Sequence, residues 1–504
     1  MAAARRRVGR GVDSWAMGDE SSGPAGLWRG LVALALAVAG AGCDTQNPDF
    51  CNDATECAAG QVCDLRSNTC VSLPDGMVGC ADDLACGPSA PVCGDDGACR
   101  ACVADAECAS RLCRDDGTCA APADLVYLAP TGDDAGPCSQ DAPCRTFPHA
   151  FALVDAGSRT GIVLAAGDYG FTEDTVLDST RDLTIAGAGR AETRLDNQGT
   201  ITARGTARWR VRGLTLVTLY CVGTGAGASL ELRDASLIGT SLHDNTLLAS
   251  TCALSTTDVD VVANPDPAPL GEAAIRLSAA SAHLVRTTVR GAASTSIGLS
   301  AVGAHAGTGA GVTIEASRFI GPGFEGLDLR QTPVRMDASS VTGFGLSALM
   351  VTGGSADVTN SVFHHNGSTV DSRRAAVWIS GVSALRFEFN TVAYNLAEPG
   401  ADGAGLRCDL GLSTPNNIVY GNLRGAAISS QIQGCNPAGS LVMPSSGGND
   451  LGFVSITPPY DFHLTPTSPA LGGATTSSVT VDLDGQARPG PDGAADLGAD
   501  ELYP

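Results

Sequence analysis

The sequence predicts an all-β chain: a solenoid of short parallel strands over most of its length, preceded by a small disulfide-rich region. Three observations predict it. From about Leu214 onward one phrase recurs, apolar, variable, small or charged, then Ser, Thr or Asn, then apolar, then Gly or Asn, as in Ile314-Glu315-Ala316-Ser317-Arg318-Phe319-Ile320-Gly321. Its apolar anchors, Leu216, Leu237, Val261, Val289, Phe319, Val341, Phe363, Val392 and Val419, are spaced 21, 24, 28, 30, 22, 22, 29 and 27 residues apart. That is a coil-length period carrying two-residue alternation. Third, twelve cysteines fall into three blocks of four before residue 120.

The 504 residues allow two to four domains, and 63 glycines with 26 prolines stay below the level of low-complexity disorder. The net charge is −23 and the chain has no lysine, so a nucleic-acid partner is excluded as a class. Aromatic residues are only 5%, which suits a thin repetitive interior.

Taken in order, the apolar run Leu31 to Ala41 is too short to span a bilayer and fits a signal-peptide core. It leads into Gly40-Ala41-Gly42-Cys43, which resembles a bacterial lipobox. That resemblance implies cleavage before Cys43 and a lipid on its thiol, although Gly40 stands where the motif usually has leucine. The expected segments are 1–42 as signal peptide, starting at Met1 or Met17, and 43–121 as a cysteine-rich stalk. The predicted location is the cell envelope, at the outer membrane or cell surface, with the lipid as sole membrane attachment.

The blocks are Cys51, Cys57, Cys63, Cys70; Cys80, Cys86, Cys93, Cys99; and Cys102, Cys108, Cys113, Cys119. Segments of about 20 residues cannot bury a core, so two disulfides per block are expected, in any of three connectivities, with zinc as the rival. Six further cysteines pair by proximity: Cys138 with Cys144, Cys221 with Cys252 and Cys408 with Cys435, the last two about one coil apart.

In the repeat, Gly239, Gly291, Gly321 and Gly343 give way to Asn366, Asn395 and Asn422. Both residue types accept positive φ, and stacked asparagines also bond between coils. A β-sandwich needs no such turn at one phase. The opening Tyr127 to Asp134, Cys138 to Phe147 and Val163 to Tyr169 resembles that of right-handed parallel β-helix proteins of the pectin-lyase-like superfamily, and the run from Leu464 to Glu501 is similar to their closing segment. The resemblance covers about 124–504. It implies a right-handed parallel β-helix over 122–504, a capping helix at about Phe147 to Ala156 and a closing segment from about 426.

That superfamily's lyases combine calcium-binding aspartates with an arginine or lysine base. Their R-x-P-x-x-R phrase is absent, and so are the hydrolase phrases N-T-D, D-D, G-H-G and R-I-K from the body between Leu183 and Asn422. Stacking offers a site instead. With Ile275, Leu327, Leu349, Val377 and Leu406 inward, Arg276, Asp328, Met350, Trp378 and Arg407 form one outward row, and Arg330, Thr352, Ser380 and Asp409 the next. An indole flanked by carboxylate and guanidinium suits a sugar subsite, with Trp378, Met350 and Arg276 as binding residues. In a catalytic version Asp328 or Asp409 is acid or metal ligand and Arg330 or Arg407 is base or clamp. The opposing reading has Trp378 under a loop and the aspartates in ordinary ion pairs.

Glu315 and Asp337 stack as like charges that either hold Ca²⁺ or are solvated, and the C-terminal aspartates are either turns or a calcium-stiffened cap. His364-His365 reads as structural. The expected function is a lipid-anchored surface protein binding polysaccharide or another surface without catalysis. The alternatives are a polysaccharide lyase or glycoside hydrolase, and an envelope spacer.

Overall fold

The computed structural model describes residues 61–64, 69–72, 80 and 82–503, apart from 158, 226, 266–271, 293–295, 304–310, 369–373, 402, 410, 426–430 and 445–449. The proposed signal peptide, Cys43, Cys51 and Cys57 lie outside the described residues. The chain divides after Ser72. In the first unit, Gln61–Asp64 pairs antiparallel with Thr69–Ser72, placing Cys63 opposite Cys70.

The second unit opens with the other two cysteine blocks. Each is bonded first to third and second to fourth: Cys80–Cys93 and Cys86–Cys99, then Cys102–Cys113 and Cys108–Cys119. No thiolate is left there for zinc, so that reading is corrected for these blocks. The aspartate three residues after each first cysteine has a structural task, accepting the third cysteine's N–H: Asp83 from Cys93 (2.7 Å) and Asp105 from Cys113 (2.8 Å).

The third block is packed onto the solenoid. Leu112 and Ala120 share a buried cluster with Leu125, Tyr127, Val163 and Ala186. Arg212 meets Asp105 (2.6 Å) and the Cys113 carbonyl, and Arg210 meets Asp115 (2.5 Å). Tyr127 Oη and Gln140 Nε2 donate to the carbonyls of Ser110 (3.1 Å) and Ala109 (3.0 Å). A boundary at 121/122 therefore crosses a packed cluster.

The solenoid is a parallel β-helix. One face is an eleven-stranded parallel sheet running from Thr175–Ser179 to Ile432–Gln433, and a second, larger sheet wraps the remaining faces. The nine anchors stand directly on one another, Leu216 on Leu237, Val261 on Val289, and so to Val392 on Val419, each at most 1% exposed. Every coil must present one apolar group at that phase, because its only neighbours are the coils above and below.

One left-handed corner lies where none was expected. Positive φ occurs three residues before the anchors, at Gly213, Asp234, Asp258, Arg286, Ala316, Ala338, Asn360, Phe389 and Asn416, between 43° and 64°. Two residues after the anchors a second left-handed corner runs through the later coils, at Gly343 (80°), His365 (52°), Tyr394 (55°) and Gly421 (63°), so the expected corner is met at Gly343 but not at Gly239, Gly291 or Gly321. Gly321 is small because a Cβ there would collide with the Gly343 carbonyl. Asn366, Asn395 and Asn422 form a buried ladder: Asn366 Nδ2 donates to Asn395 Oδ1 (3.0 Å), and Asn395 Nδ2 to Asn422 Oδ1 (2.9 Å). A second ladder two residues before the anchors runs Ser317, Ser339, Ser361, Asn390, Asn417. Both satisfy buried backbone N–H groups at the corners, which would otherwise be costly.

The two ends are covered. The helix Phe147–Ala156 buries Phe147, Ala150, Phe151 and Val154, with Phe151 against Trp209 (ring centroids 5.9 Å apart). At the other end the hairpin Phe453–Ser455 and Asp461–Leu464 packs Leu451, Phe453, Phe462 and Leu464 against Ala393, Ile418 and Tyr420. Cys138–Cys144, Cys221–Cys252 and Cys408–Cys435 are bonded.

Candidate functional site

Parallel register fixes which outward side chains are neighbours. On the eleven-stranded sheet one row reads Tyr220, Leu248, Arg276, Ser300, Asp328, Met350, Trp378, Arg407, Gln433. The expected row is present with one extra rung: Ser300, on Ile297–Val302, separates Arg276 from Asp328. Asp328 and Arg407 are three rungs apart, roughly 14 Å at about 4.8 Å per strand. Arg330, Thr352 and Ser380 form the next row, but Asp409 falls beyond its strand, where its Oδ2 accepts the Gly381 N–H (2.6 Å).

Exposure differs from expectation along the row. Arg276 is exposed, and Trp378 and Arg407 are half-buried. Asp328 and Met350 are buried, at 3% and 4% exposure, so neither is an open surface contact. Asp328 is closed by Arg330 in a two-pronged pair (3.0 and 2.8 Å). Met350 is covered by Arg374, whose Nη1 lies 3.0 Å from its sulfur.

Two residues of this face were not foreseen. Arg374 Nη1 also meets Glu325 Oε1 (2.6 Å), and its guanidinium lies over the Trp378 ring, 5.3 Å from the centroid, while that of Arg407 lies at 4.6 Å. Glu325 is 2% exposed. Burial, and secondarily the nearby Asp328 charge, push its carboxyl up to about 7 against the pull of Arg374 and Arg330. Glu325 had a legible signal, because it shares the inward phase of Leu327 and Leu329, where a carboxylate is out of place. Arg374 had none, since it follows a stretch without periodicity.

The face is thus a partly exposed indole under two guanidiniums, with two buried carboxyls each held by an arginine. It suits planar, hydroxyl-rich or anionic groups through ring contact and paired N–H donors.

The other candidates are individually partnered. Glu315 and Asp337 are adjacent in register, but Glu315 faces His283 (3.6 Å), and Asp337 accepts from Thr359 (2.6 Å) and Asn360 (3.0 Å). His364 and His365 seat the closing hairpin: His365 stacks on Tyr460 (4.0 Å), and His364 lies against Phe462 (4.6 Å). Burial pushes His364 down to about 3.

No family model matches the sequence, and no curated protein matches it. Among solved structures, the chain is similar to a pectate lyase (15% identity, TM-score 0.34, covering 75% of this chain and 96% of that one). It is also similar to the A-module of an Azotobacter vinelandii mannuronan C-5 epimerase (15%, 0.33, 57% and 90%) and to a rhamnogalacturonan lyase (13%, 0.33, 66% and 91%). Superpositions this loose carry no argument about activity, so the reading of this chain's chemistry rests on its own residues.

Proposed function

We propose that this is an envelope-anchored protein whose β-helix binds polysaccharide on the Trp378 face without cleaving it. One observation carries the reading: Trp378 stays partly exposed beneath Arg374 and Arg407, with Arg276 and Arg330 exposed on the same sheet. The net charge of −23 opposes a polyanion at long range, so what favours an acidic glycan is local: guanidiniums beside the Trp378 ring, whose N–H groups pair with carboxylates at contact distance. Against cleavage, Asp328, Glu325 and Asp409 are all engaged by neighbouring donors. Anchoring through Cys43 belongs to the same reading and rests on the sequence motif.

The test is retention of the full exported chain on immobilised acidic and neutral polysaccharides, with mass spectrometry of the eluate for released oligosaccharides. The expected result is retention on an acidic glycan, weakened roughly tenfold by Trp378→Ala, with no release; a cation–π and stacking contribution of about 1–2 kcal/mol sets that scale. Retention unchanged in the variant would sink the assignment of the face. A second reading is favoured by Glu325 alone, whose carboxyl, pushed up to about 7, is suited to proton donation. Released products that disappear in Glu325→Gln would replace binding with cleavage.

A further inference from the structure

We propose that His463, Asp484 and Asp500 form a binding site for one divalent transition cation of the zinc class, tying together three stretches of the closing segment. Ligand atoms of the three residues lie within 4.8 Å of one another. They come from the strand Asp461–Leu464, from the turn after Asp482, and from the C-terminal run 496–501.

The imidazole is already oriented. His463 Nδ1 lies 2.5 Å from Asp461 Oδ1 and Nε2 is paired with Asp484 Oδ2 at 2.7 Å, so a cation enters by displacing the proton shared between Nε2 and Asp484. A metal-binding histidine is held in this way by a carboxylate on its other nitrogen. Asp500 is 4% exposed, and Leu464 N–H donates to its Oδ2 (2.7 Å), which fixes the carboxyl beside the imidazole. Charge points the same way: Asp461, Asp484 and Asp500 surround one imidazole. Arg488 is committed to Glu501 (3.0 Å) and to the carbonyls of Asp496 and Gly498. A mixed nitrogen and oxygen set selects zinc-like ions over calcium, which takes oxygen ligands.

The experiment uses the untagged full exported chain, stripped with chelator and titrated with Zn²⁺ alone, following heat of binding, melting temperature and zinc-edge X-ray absorption. Expected are one equivalent bound, a raised melting temperature, and nitrogen and oxygen ligation without sulfur. His463→Ala and Asp484→Asn each weaken binding at least tenfold. Asp461→Asn, a positioning change, weakens it tenfold to a hundredfold with stoichiometry kept. His463 and Asp484 are partly or fully exposed, and melting of each metal-free variant shows that the cap is folded. No binding, binding that survives both ligand variants, or sulfur in the coordination shell overturns the site.

Discussion

The two ends of the coil solve one problem with different chemistry. Each terminal coil has a side with no neighbour, and an uncovered end invites fraying and edge pairing. The N-terminal end is closed by covalent and apolar means: a helix of buried phenylalanines and a disulfide-bonded block seated through Leu112. The C-terminal end combines an apolar hairpin with buried charge, since Asp482, Arg488, Asp496, Asp500 and Glu501 are each at most 6% exposed. The difference teaches that the two covers of one solenoid lean mainly on different forces, the N-terminal one on packing and disulfides and the closing segment on packing and buried charge.

The largest expected effect breaks the ionic end. Arg488 and Glu501 are both about 1% exposed at the side chain, so Arg488→Gln leaves a buried carboxylate unpaired. A loss of about 3–5 kcal/mol in denaturant unfolding is expected, with hydrogen exchange rising first in the closing segment.

Next comes a buried charge belonging to neither end. Glu325 has a folded pKa of about 7 against an ordinary 4.5. A raised carboxyl pKa means that stability is full below pH 4.5 and is lost as pH rises through 7. Glu325→Gln removes that loss, so relative to wild type the variant gains about 3 kcal/mol between pH 4.5 and pH 8. A flat difference across that range would remove Glu325 from the account.

At the apolar end Leu112→Ala is expected to cost about 2 kcal/mol, and mild reduction of Cys102–Cys113 should loosen the same coils while sparing the closing segment. Exchange mass spectrometry resolves the two ends. The smallest effect is at the half-buried pair Arg386–Asp357, where Asp357→Asn should cost about 1 kcal/mol or less and diminish further with salt.

How far the sequence could be read follows from what each feature depends on. The anchors were legible, because stacking demands the same class of side chain at the same phase. The outward row was legible in register but not in exposure. Whether Asp328 is open depends on Arg330 two residues on, and Met350 is covered by Arg374 from a separate, aperiodic segment. The left-handed corner before each anchor was missed, and the one after it was read correctly only at Gly343, because glycine and asparagine are read as markers of positive φ whereas His365 and Tyr394 hold that conformation in later coils. Here Gly321 answers to a close backbone approach and Asn366 to a hydrogen-bond ladder, while Phe389 and Ala338 occupy the strained conformation. Glu325 was visible as a phase error. The seating of the third cysteine block was not, since Arg210 and Arg212 are remote in sequence from the aspartates they meet.

The left-handed corner also settles where this protein is able to change length. Corner and anchor stay three residues apart while coils range from 21 to 30 residues, so that short stretch is the datum from which every coil is laid out. One residue added between Asn360 and Phe363 would swing the anchor to solvent and turn a polar neighbour inward. Residues added between coils on the rim shift nothing in the stack. A lineage carrying this spine is therefore free to lengthen and rewrite the rim beside Trp378, while the spine itself stays closed to insertion.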